Sequence, residues 1–305
     1  MAVLGLAWPT TAQAELVGYW NFNEGEGTTA GDFSPNANDG TLAGNQLPSW
    51  VAGHTANPGD NALNFVFSLS SYVAVPTSAS LGTITDNFTI AAWAYERDWS
   101  NYGHIFVTTS DYANRNWLFQ TDADDQAYVW STTDDAWKKP LGWAIPDGAW
   151  HHIALTYDGT NMRSYLDGTL QTTIGVGSSF PSFETLYLGG WLAGGSGFEG
   201  DLDDMVIFNS VEDIGQIMDG THPAMILALP PVWDADTVAP GAQDGGGTWS
   251  DGGGNWWDGS GNVAWDNTKK AVATFGAGNA TADPVVTVET VTAGGMVFNA
   301  AAGHA

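Results

Sequence analysis

The sequence predicts an all-β protein: an antiparallel β-sandwich of the jelly-roll type, followed by a short Gly- and Trp-rich β region. Apolar and polar residues alternate over short runs such as 88–93 and 152–157, and this period of two is typical of half-buried strands. The dipeptides Asp158-Gly159 and Asp167-Gly168 end such runs and predict tight hairpins, because Gly tolerates a positive φ. Only residues 211–218 predict a helix, of about two turns. Many short strands at this spacing indicate a sandwich or jelly roll.

The first 14 residues are apolar and end in Ala12-Gln13-Ala14, a small-x-small cleavage pattern without a preceding basic region. We interpret residues 1–14 as the remnant of a signal peptide, with a frayed apolar tail as the alternative. The signal peptide predicts a secreted or cell-surface protein. No run of 18 or more apolar residues occurs elsewhere, so we expect no membrane span.

The charge balance restricts the classes of partner. Seven Lys and Arg face 34 Asp and Glu, which gives a net charge of -27. Such a surface repels phosphate backbones and anionic lipid, so nucleic acid and acidic membrane surfaces are not expected partners. The chain has no Cys, which excludes disulfides and thiolate chemistry.

The chain divides by composition. Residues 15–222 carry the strand patterns of the predicted jelly roll, and residues 223–232, with Leu229-Pro230-Pro231, predict a stiff linker. Residues 233–305 form the Gly- and Trp-rich β region, which we expect to be truncated. Three short strands are predicted there, over residues 271–275, 285–291 and 294–298.

Three ordered groups of segments carry a family resemblance: 16–29 with 32–42, 150–159 with 165–168, and 188–190 with 198–209. In this order and spacing they resemble the laminin-G-like, concanavalin A-like jelly-roll domains of exported bacterial proteins. The resemblance covers about residues 15–220. It implies a non-catalytic binding or adhesion module whose partner is a glycan or an extracellular protein, with carbohydrate as the expected ligand.

The end of the chain carries a second resemblance. Segments 246–257 and 286–298 are similar to the start of autotransporter-associated β-strand repeats. That resemblance implies a right-handed β-solenoid. It supplies an alternative function, a structural stalk on a surface protein.

A calcium site is one interpretation of the segment that begins at Asp32. Side-chain oxygens recur at alternating positions, at Asp32, Asn36 and Asn38 among others, and Ca²⁺ prefers six to eight oxygen ligands. The laminin-G resemblance implies that this loop lies close to the pair Asp203-Asp204. We therefore predict a structural Ca²⁺ site formed by Asp32, Asn36, Asn38 and Asp204, with an Asx-rich turn as the alternative.

A glycoside hydrolase of the same fold is the alternative enzymatic function. Glu199, Asp201 and Asp203 alternate, so a strand places them on one face, and retaining glycosidases use two carboxyls about 5–5.5 Å apart. The segment departs from the Glu-x-Asp-x-Glu strand of related glucanases because its last residue is the shorter Asp203. The resemblance to laminin-G-like domains implies no catalytic role here, and we predict a protein that is not an enzyme.

Tryptophans of the polar central third are the candidate ligand-binding residues: Trp99, Trp117, Trp130 and Trp137. A flat indole stacks on a sugar ring, and neighbouring carboxylates accept hydrogen bonds from its hydroxyls. Three other tryptophans lie inside strand patterns and are expected in the core: Trp20, Trp93 and Trp150. The six His show no metal-ligand spacing, so zinc is not expected.

Overall fold

The computed structural model divides the chain into two compact units, the first ending at Met218 and the second beginning at Asp219. No helix in the described part of the chain is long and apolar enough to cross a membrane. The structure describes residues 15–57, 59–97, 103–109, 115–122, 126–131, 137–176, 183–191, 197–228, 232–235, 238, 247–250, 252–257, 262–264, 272–275, 286–288 and 295–298.

The first unit is built almost entirely from short strands, and its helix α1 spans Ile214–Met218, within the segment predicted as helical. Its strands are β1 Leu16–Trp20, β2 Thr29–Ala30, β3 Gly40–Ala43, β4 Ser49–Ala52, β5 Asn61–Phe65, β6 Tyr72–Val75, β7 Phe88–Glu96, β8 His104–Thr109, β9 Arg115–Asp122, β10 Gln126–Ser131, β11 Trp137–Pro140, β12 Trp150–Tyr157, β13 Asn161–Leu166, β14 Thr169–Gly175, β15 Thr185–Leu188 and β16 Gly200–Phe208.

These strands form two eight-stranded antiparallel sheets. Sheet A has the order β14-β13-β12-β7-β16-β5-β4, and β1 also pairs with β16. Sheet B has the order β11-β10-β9-β8-β15-β6-β3-β2. Strands that are consecutive in sequence often lie in different sheets, as β6, β7 and β8 do. The predicted all-β antiparallel jelly-roll sandwich is confirmed.

The core lies between the inner faces of the two sheets. In β7 the alternate residues Phe88, Ile90, Ala92 and Ala94 belong to it, and sheet B contributes residues such as Phe119. The period of two puts every second side chain on this face, and each fully buried large apolar side chain contributes about 1.5–3 kcal/mol.

Both predicted hairpin turns are present. Asp167 and Gly168 have φ values of 48° and 71°, so the two-residue loop between β13 and β14 has positive φ at both positions. The Asp158 carboxylate accepts hydrogen bonds from the backbone N–H of Thr160 (3.0 Å) and Asn161 (2.7 Å). The Asx interaction and Gly159, with φ 84°, close the turn between β12 and β13.

A β-bulge interrupts β16. Asp203 is paired with Trp93 of β7 and Val206 with Ala91, so β16 has one residue more than its partner between these pairs. Asp204 lies in this bulge with φ 45°, in the left-handed region that non-glycine residues seldom adopt.

The second unit contains short strands joined partly in parallel, and helix α2, Pro223–Ala228, occupies most of the segment predicted as a linker. Proline suits the first turn of a helix, because the N–H group that it lacks would have no hydrogen-bond acceptor within the helix. Parallel pairing joins β17 to β21 and β21 to β23, and β18 to β22. The strands are β17 Val232–Trp233, β18 Gly247–Trp249, β19 Trp256–Trp257, β20 Asn262–Val263, β21 Val272–Phe275, β22 Val286–Val288 and β23 Gly295–Phe298.

Tryptophans form the packing centre of this second unit. Trp256 contacts Trp233 and Trp249 edge-to-face, at centroid distances of 5.4 and 5.2 Å, and all three are buried. Gly247 is needed beside them because a Cβ at this position would lie 2.6 Å from the Trp233 ring.

Candidate functional site

The strand register brings together three of the four predicted ligand tryptophans. Ser131 of β10 pairs with both Trp117 of β9 and Trp137 of β11, and Trp130 is the next residue of β10. The fourth, Trp99, lies outside the described residues. We call strands β9, β10 and β11 with these three tryptophans the tryptophan flank, which forms one edge of sheet B.

An aromatic cluster lies on the outward face of sheet B next to the flank. Val107, Tyr187 and Trp191 form an apolar cluster separate from the main core, and Tyr72 packs against it. The Tyr72 and Tyr187 rings meet edge-to-face at 5.6 Å. Register connects this cluster to the flank, because Tyr187 pairs with Val107, Val107 with Leu118, and Leu118 with Trp130.

The predicted core tryptophans have two different environments. Trp20 is fully buried, as expected, and its Nε1 donates a hydrogen bond to the Asn38 carbonyl (3.0 Å). The expectation was wrong for Trp93 and Trp150, which are half-buried and lie outside the core. Even-numbered residues of β7 face the core, so Trp93 is on the opposite face of sheet A.

A histidine and two aspartates meet at the bulge of β16; we call His54, Asp203 and Asp204 the His54 cluster. The His54 backbone N–H donates to Asp203 Oδ2 (2.9 Å), and its Nδ1 lies 2.9 Å from the same oxygen. Nδ1 is 3.8 Å from Asp204 Oδ2. Each of the three side chains offers one possible metal-ligating atom, and these atoms lie within 4.8 Å of one another.

Two irregular backbone features allow this approach. Neighbouring residues of a regular strand point to opposite faces, but the bulge brings both carboxylates into one cluster, and the Asp204 N–H donates to Asp203 Oδ1 (2.8 Å). Gly53 precedes His54, and a Cβ there would lie 2.8 Å from Asp203 Oδ2 and 2.5 Å from the Asp60 carboxyl carbon. Only glycine leaves room for these contacts.

The surroundings of the cluster are aromatic. The His54 ring stacks on Trp93, with centroids 4.5 Å apart and planes 10° apart. Trp93 also meets the buried His152 edge-to-face at 5.4 Å. The Tyr19 hydroxyl donates to Asp204 Oδ1 (2.8 Å). The cluster therefore has little contact with solvent: the Asp203 side chain is 0% exposed and the Asp204 side chain 24%.

These surroundings favour bound protons. Burial, with the neighbouring charge of Asp203, raises the pKa of Asp204 to about 7, and burial also raises the pKa of Asp203. Burial by itself would lower the pKa of His54, but the hydrogen bond to Asp203 and the charges of both aspartates outweigh it and raise that pKa above 6.5. Burial and Asp204 raise the pKa of Tyr19 well above its ordinary value.

The residues predicted to bind calcium fall into two groups. Asp32, Asn36 and Asn38 lie in one turn, where Asp32 accepts hydrogen bonds from the N–H groups of Tyr19 (2.8 Å) and Asn38 (2.7 Å). The Asn36 and Asn38 amides donate to carbonyls of β1. Asp204 groups with His54 and Asp203 instead, and Tyr19 connects the two groups through its N–H and its hydroxyl. The Asx-turn alternative accounts for these hydrogen bonds, and calcium binding stays a prediction.

The three carboxylates of the alternative hydrolase motif have separate partners. Glu199 lies before the start of β16 and accepts a hydrogen bond from the Phe67 N–H (2.9 Å). Asp201 forms an ion pair with Arg97 and accepts a hydrogen bond from Asn64 Nδ2 (2.7 Å). Asp203 belongs to the His54 cluster. Each carboxylate thus already has a protein hydrogen-bond donor, and the expectation that the protein is not an enzyme stays a prediction.

Residues 67–217 match a laminin G family model described as the Concanavalin A-like lectin/glucanases superfamily. A comparison with curated proteins found no match. The chain is similar to domain 4 of AbnA, a GH43 extracellular arabinanase from Geobacillus stearothermophilus, in a structure with arabinotriose. The TM-score is 0.55 at 17% identity, over 68% of this chain and 99% of that domain.

Two further solved structures share the fold. The binding domain of Paraclostridial Mosquitocidal Protein 1 gives a TM-score of 0.52 at 14% identity, over 67% of this chain and 51% of that one. Trypanosoma rangeli sialidase in complex with 2,3-difluorosialic acid gives 0.51 at 15% identity, over 68% of this chain and 32% of the sialidase. The chain thus spans about a third of the sialidase, and identities this low show the fold alone. The fold and the family match together support a concanavalin A-like jelly-roll domain in the first unit.

Proposed function

We propose that this protein is a non-catalytic, extracellular carbohydrate-binding module and that the tryptophan flank is its ligand-binding surface. One observation carries the proposal: the register aligns Trp117 of β9 and Trp137 of β11 with Ser131 of β10, and Trp130 is the residue before Ser131. Adjacent strands lie about 4.8 Å apart, so positions 117 and 137 are about 10 Å apart, a length comparable to one or two sugar rings. Trp130 is one residue out of this alignment, and alternation assigns it to the opposite face of the sheet, the face of the aromatic cluster around Tyr187. Aromatic rings combined with a few polar groups are the usual composition of a sugar site.

The fold supports the same function. Concanavalin A-like domains include lectins and glucanases by the description of the family. The domain of the Geobacillus arabinanase was solved with arabinotriose, so arabinan and its oligosaccharides are suitable first neutral probes. The aromatic cluster around Tyr187 lies on the sheet face next to the flank. Val107, Tyr187 and Trp191 are buried, so the half-buried Tyr72 is the ring of this cluster that a longer glycan would contact.

The test is a glycan-binding assay with matched tryptophan variants. We expect Trp130→Ala to weaken binding of the best arabino-oligosaccharide by about tenfold, measured by titration calorimetry, because a stacking contact is lost. Trp150→Ala is the control, since it removes a half-buried indole from sheet A and leaves the flank intact. Equal binding by the wild type and by both Trp130→Ala and Trp137→Ala, which change one tryptophan of each face, would contradict the assignment of the flank.

The same assay separates binding from hydrolysis. Binding by a non-catalytic module survives Glu199→Gln, apart from any loss of stability at its contact with Phe67. Glycan turnover that disappears in Glu199→Gln would instead support the alternative glycoside hydrolase.

The second unit favours a structural stalk as an additional function. Parallel pairing of β17, β21 and β23, and of β18 with β22, stacks successive segments as the rungs of a β-solenoid do. A binding domain and a stalk are compatible in one surface protein. Hydrogen exchange tests the stacking of these strands. Because β21 pairs with β23, we expect Val297→Pro to remove amide protection from both strands. Loss of protection in β23 alone would contradict the stacked arrangement.

A further inference from the structure

We propose that the glycan bound by the tryptophan flank is a linear chain of about four or more sugar residues, and that Tyr72 of β6 is its second point of contact. This inference rests on the proposed function and names the length class of the ligand for that function.

Tyr72 lies on the outward face of sheet B. Its neighbour Val73 belongs to the core between the two sheets, so alternation directs Tyr72 away from the core. The Tyr72 side chain is half-buried, and its ring meets the Tyr187 ring edge-to-face with centroids 5.6 Å apart. This contact holds the Tyr72 ring in place and leaves part of it open to a ligand.

Small residues flank Tyr72 on both sides. Ala43 of β3 pairs with Tyr72, and on the other side a Cβ added at Gly190 would lie 3.2 Å from the Tyr72 Cβ. Thr41, two residues before Ala43, is exposed and adds a hydroxyl on the same face. A partly exposed aromatic ring beside a polar group has the usual composition of a sugar contact.

One row of register pairs connects the flank to β6. The row consists of Trp130, Leu118, Val107, Tyr187 and Ala74. Tyr72 is two residues from Ala74 on β6 and therefore shares its face. Four strand spacings of about 4.8 Å separate β10 from β6, so the flank and Tyr72 are about 20 Å apart. Because about two sugar rings cover about 10 Å, a glycan of about four residues reaches both.

The middle of this row offers a glycan few contacts. Val107, Tyr187 and Trp191 are buried, so the contacts with a ligand are concentrated at the two ends, the flank and Tyr72. A short glycan occupies one end at a time, whereas a chain that reaches both ends gains its second contact as an intramolecular event. Affinity therefore increases in a step once the chain is long enough, and not evenly with each added residue.

The experiment titrates the full chain with arabinan oligosaccharides, from the disaccharide to about the heptasaccharide, by calorimetry. We expect the wild type to gain at least about tenfold in affinity between the trisaccharide and the hexasaccharide. Tyr72→Ala should lose this gain, while its affinity for the disaccharide changes by less than about twofold. Tyr72→Phe retains the ring and should retain the gain.

Tyr165→Ala is the matched control, since Tyr165 is a half-buried tyrosine of β13 in the other sheet. It should bind every oligosaccharide like the wild type. Thermal unfolding shows whether each variant is folded. Should Tyr72→Ala be unstable, Tyr72→Leu decides the question, because it keeps an apolar side chain against Tyr187 but has no flat ring. Loss of the gain in Tyr72→Leu supports the inference, and a retained gain overturns it.

The outcomes distinguish this inference from the proposed function. A wild type whose affinity is constant or rises evenly with chain length, or a Tyr72→Ala variant that keeps the full gain, would overturn the inference. The proposed function survives these results if Trp130→Ala or Trp137→Ala still weakens binding of the oligosaccharides. If the wild type binds no member of the series, or if neither tryptophan variant weakens binding, the proposed function itself fails.

Discussion

The tryptophan flank and the His54 cluster are assembled in opposite ways. The flank depends on regular pairing, in which Ser131 aligns Trp117 with Trp137 across three strands. The cluster depends on departures from regularity: a bulge, a left-handed Asp204 and a glycine at position 53. Regular register suits a repeating surface that contacts an extended ligand. Irregular backbone brings the side chains of two consecutive residues, Asp203 and Asp204, into one cluster.

The largest expected effect is a loss of stability when the His54 cluster is disrupted. Asp203→Ala should lower the free energy of unfolding by about 3 kcal/mol, because it removes one partner of a buried charged pair. The Asp203 carboxylate accepts hydrogen bonds from the N–H groups of His54 and Asp204. Urea denaturation gives the value, and Arg163→Ala is the control for which we expect a much smaller change, because it removes the more exposed pair with Asp158 and leaves the turn at Asp158 intact.

A loss of stability in Asp203→Ala no larger than in Arg163→Ala would show that the cluster contributes little to folding. The conservative variant Asp203→Asn should lose an intermediate amount of stability, because the amide keeps the shape of the side chain but not its charge.

The effect of calcium on stability tests whether the turn at Asp32 and the His54 cluster form one binding site. The proposed Ca²⁺ site predicts that the ion stabilises the protein, by about 2.7 kcal/mol at a hundredfold excess over Kd. Thermal unfolding in EDTA and in added Ca²⁺ measures the shift, which a site formed by all four residues loses in both Asp32→Ala and Asp204→Asn.

A calcium shift that disappears in only one of these variants would place the ion in one of the two groups. The absence of any shift would remove calcium, and the hydrogen bonds of Asp32 would then describe an Asx turn alone.

The pH dependence of stability is the smallest expected effect and concerns only the cluster. The pKa of Asp204 is raised from 3.8 to about 7 and that of His54 is raised above 6.5, so the folded state binds more protons than the unfolded state. The free energy of unfolding should therefore fall, on the order of 1 kcal/mol, as the pH rises from 6.5 to 8. Below pH 6.5 the buried His152 acts in the opposite direction, because burial lowers its pKa to about 4.

Denaturation at a series of pH values measures this slope, and His54→Gln with Asp204→Asn is the variant that should flatten it above pH 6.5. A slope of the opposite sign in the wild type would contradict the arrangement of protons described for the cluster.

Local patterns were sufficient to predict much of the fold. Alternation predicted the strands, and the dipeptide Asp167-Gly168 predicted its hairpin, because each depends on neighbouring residues alone. Which side of a strand is buried is harder to predict from the sequence. Trp93 lies in a strand pattern, but only the packed sandwich shows that Phe88 and Ile90 face the core and Trp93 does not.

The His54 cluster could not have been found by such patterns. His54 and Asp203 are separated by 149 residues, and no local signal links them. The adjacent pair Asp203-Asp204 was visible, but an unbroken strand would have placed the two carboxylates on opposite faces. The tryptophans of the flank were identified by type and position, whereas their alignment required the register of β9, β10 and β11.

The pairing of β1 with β16 has a consequence for how the chain folds. Leu16 pairs with Phe208, and β16 is also the partner of the long strand β7. Until β16 has left the ribosome, β1 has no partner and sheet A lacks the strand that joins its two halves. A topology dominated by such distant contacts folds slowly. The jelly roll therefore reaches its native state only after synthesis of the whole domain, and it folds more slowly than a helical protein of the same size.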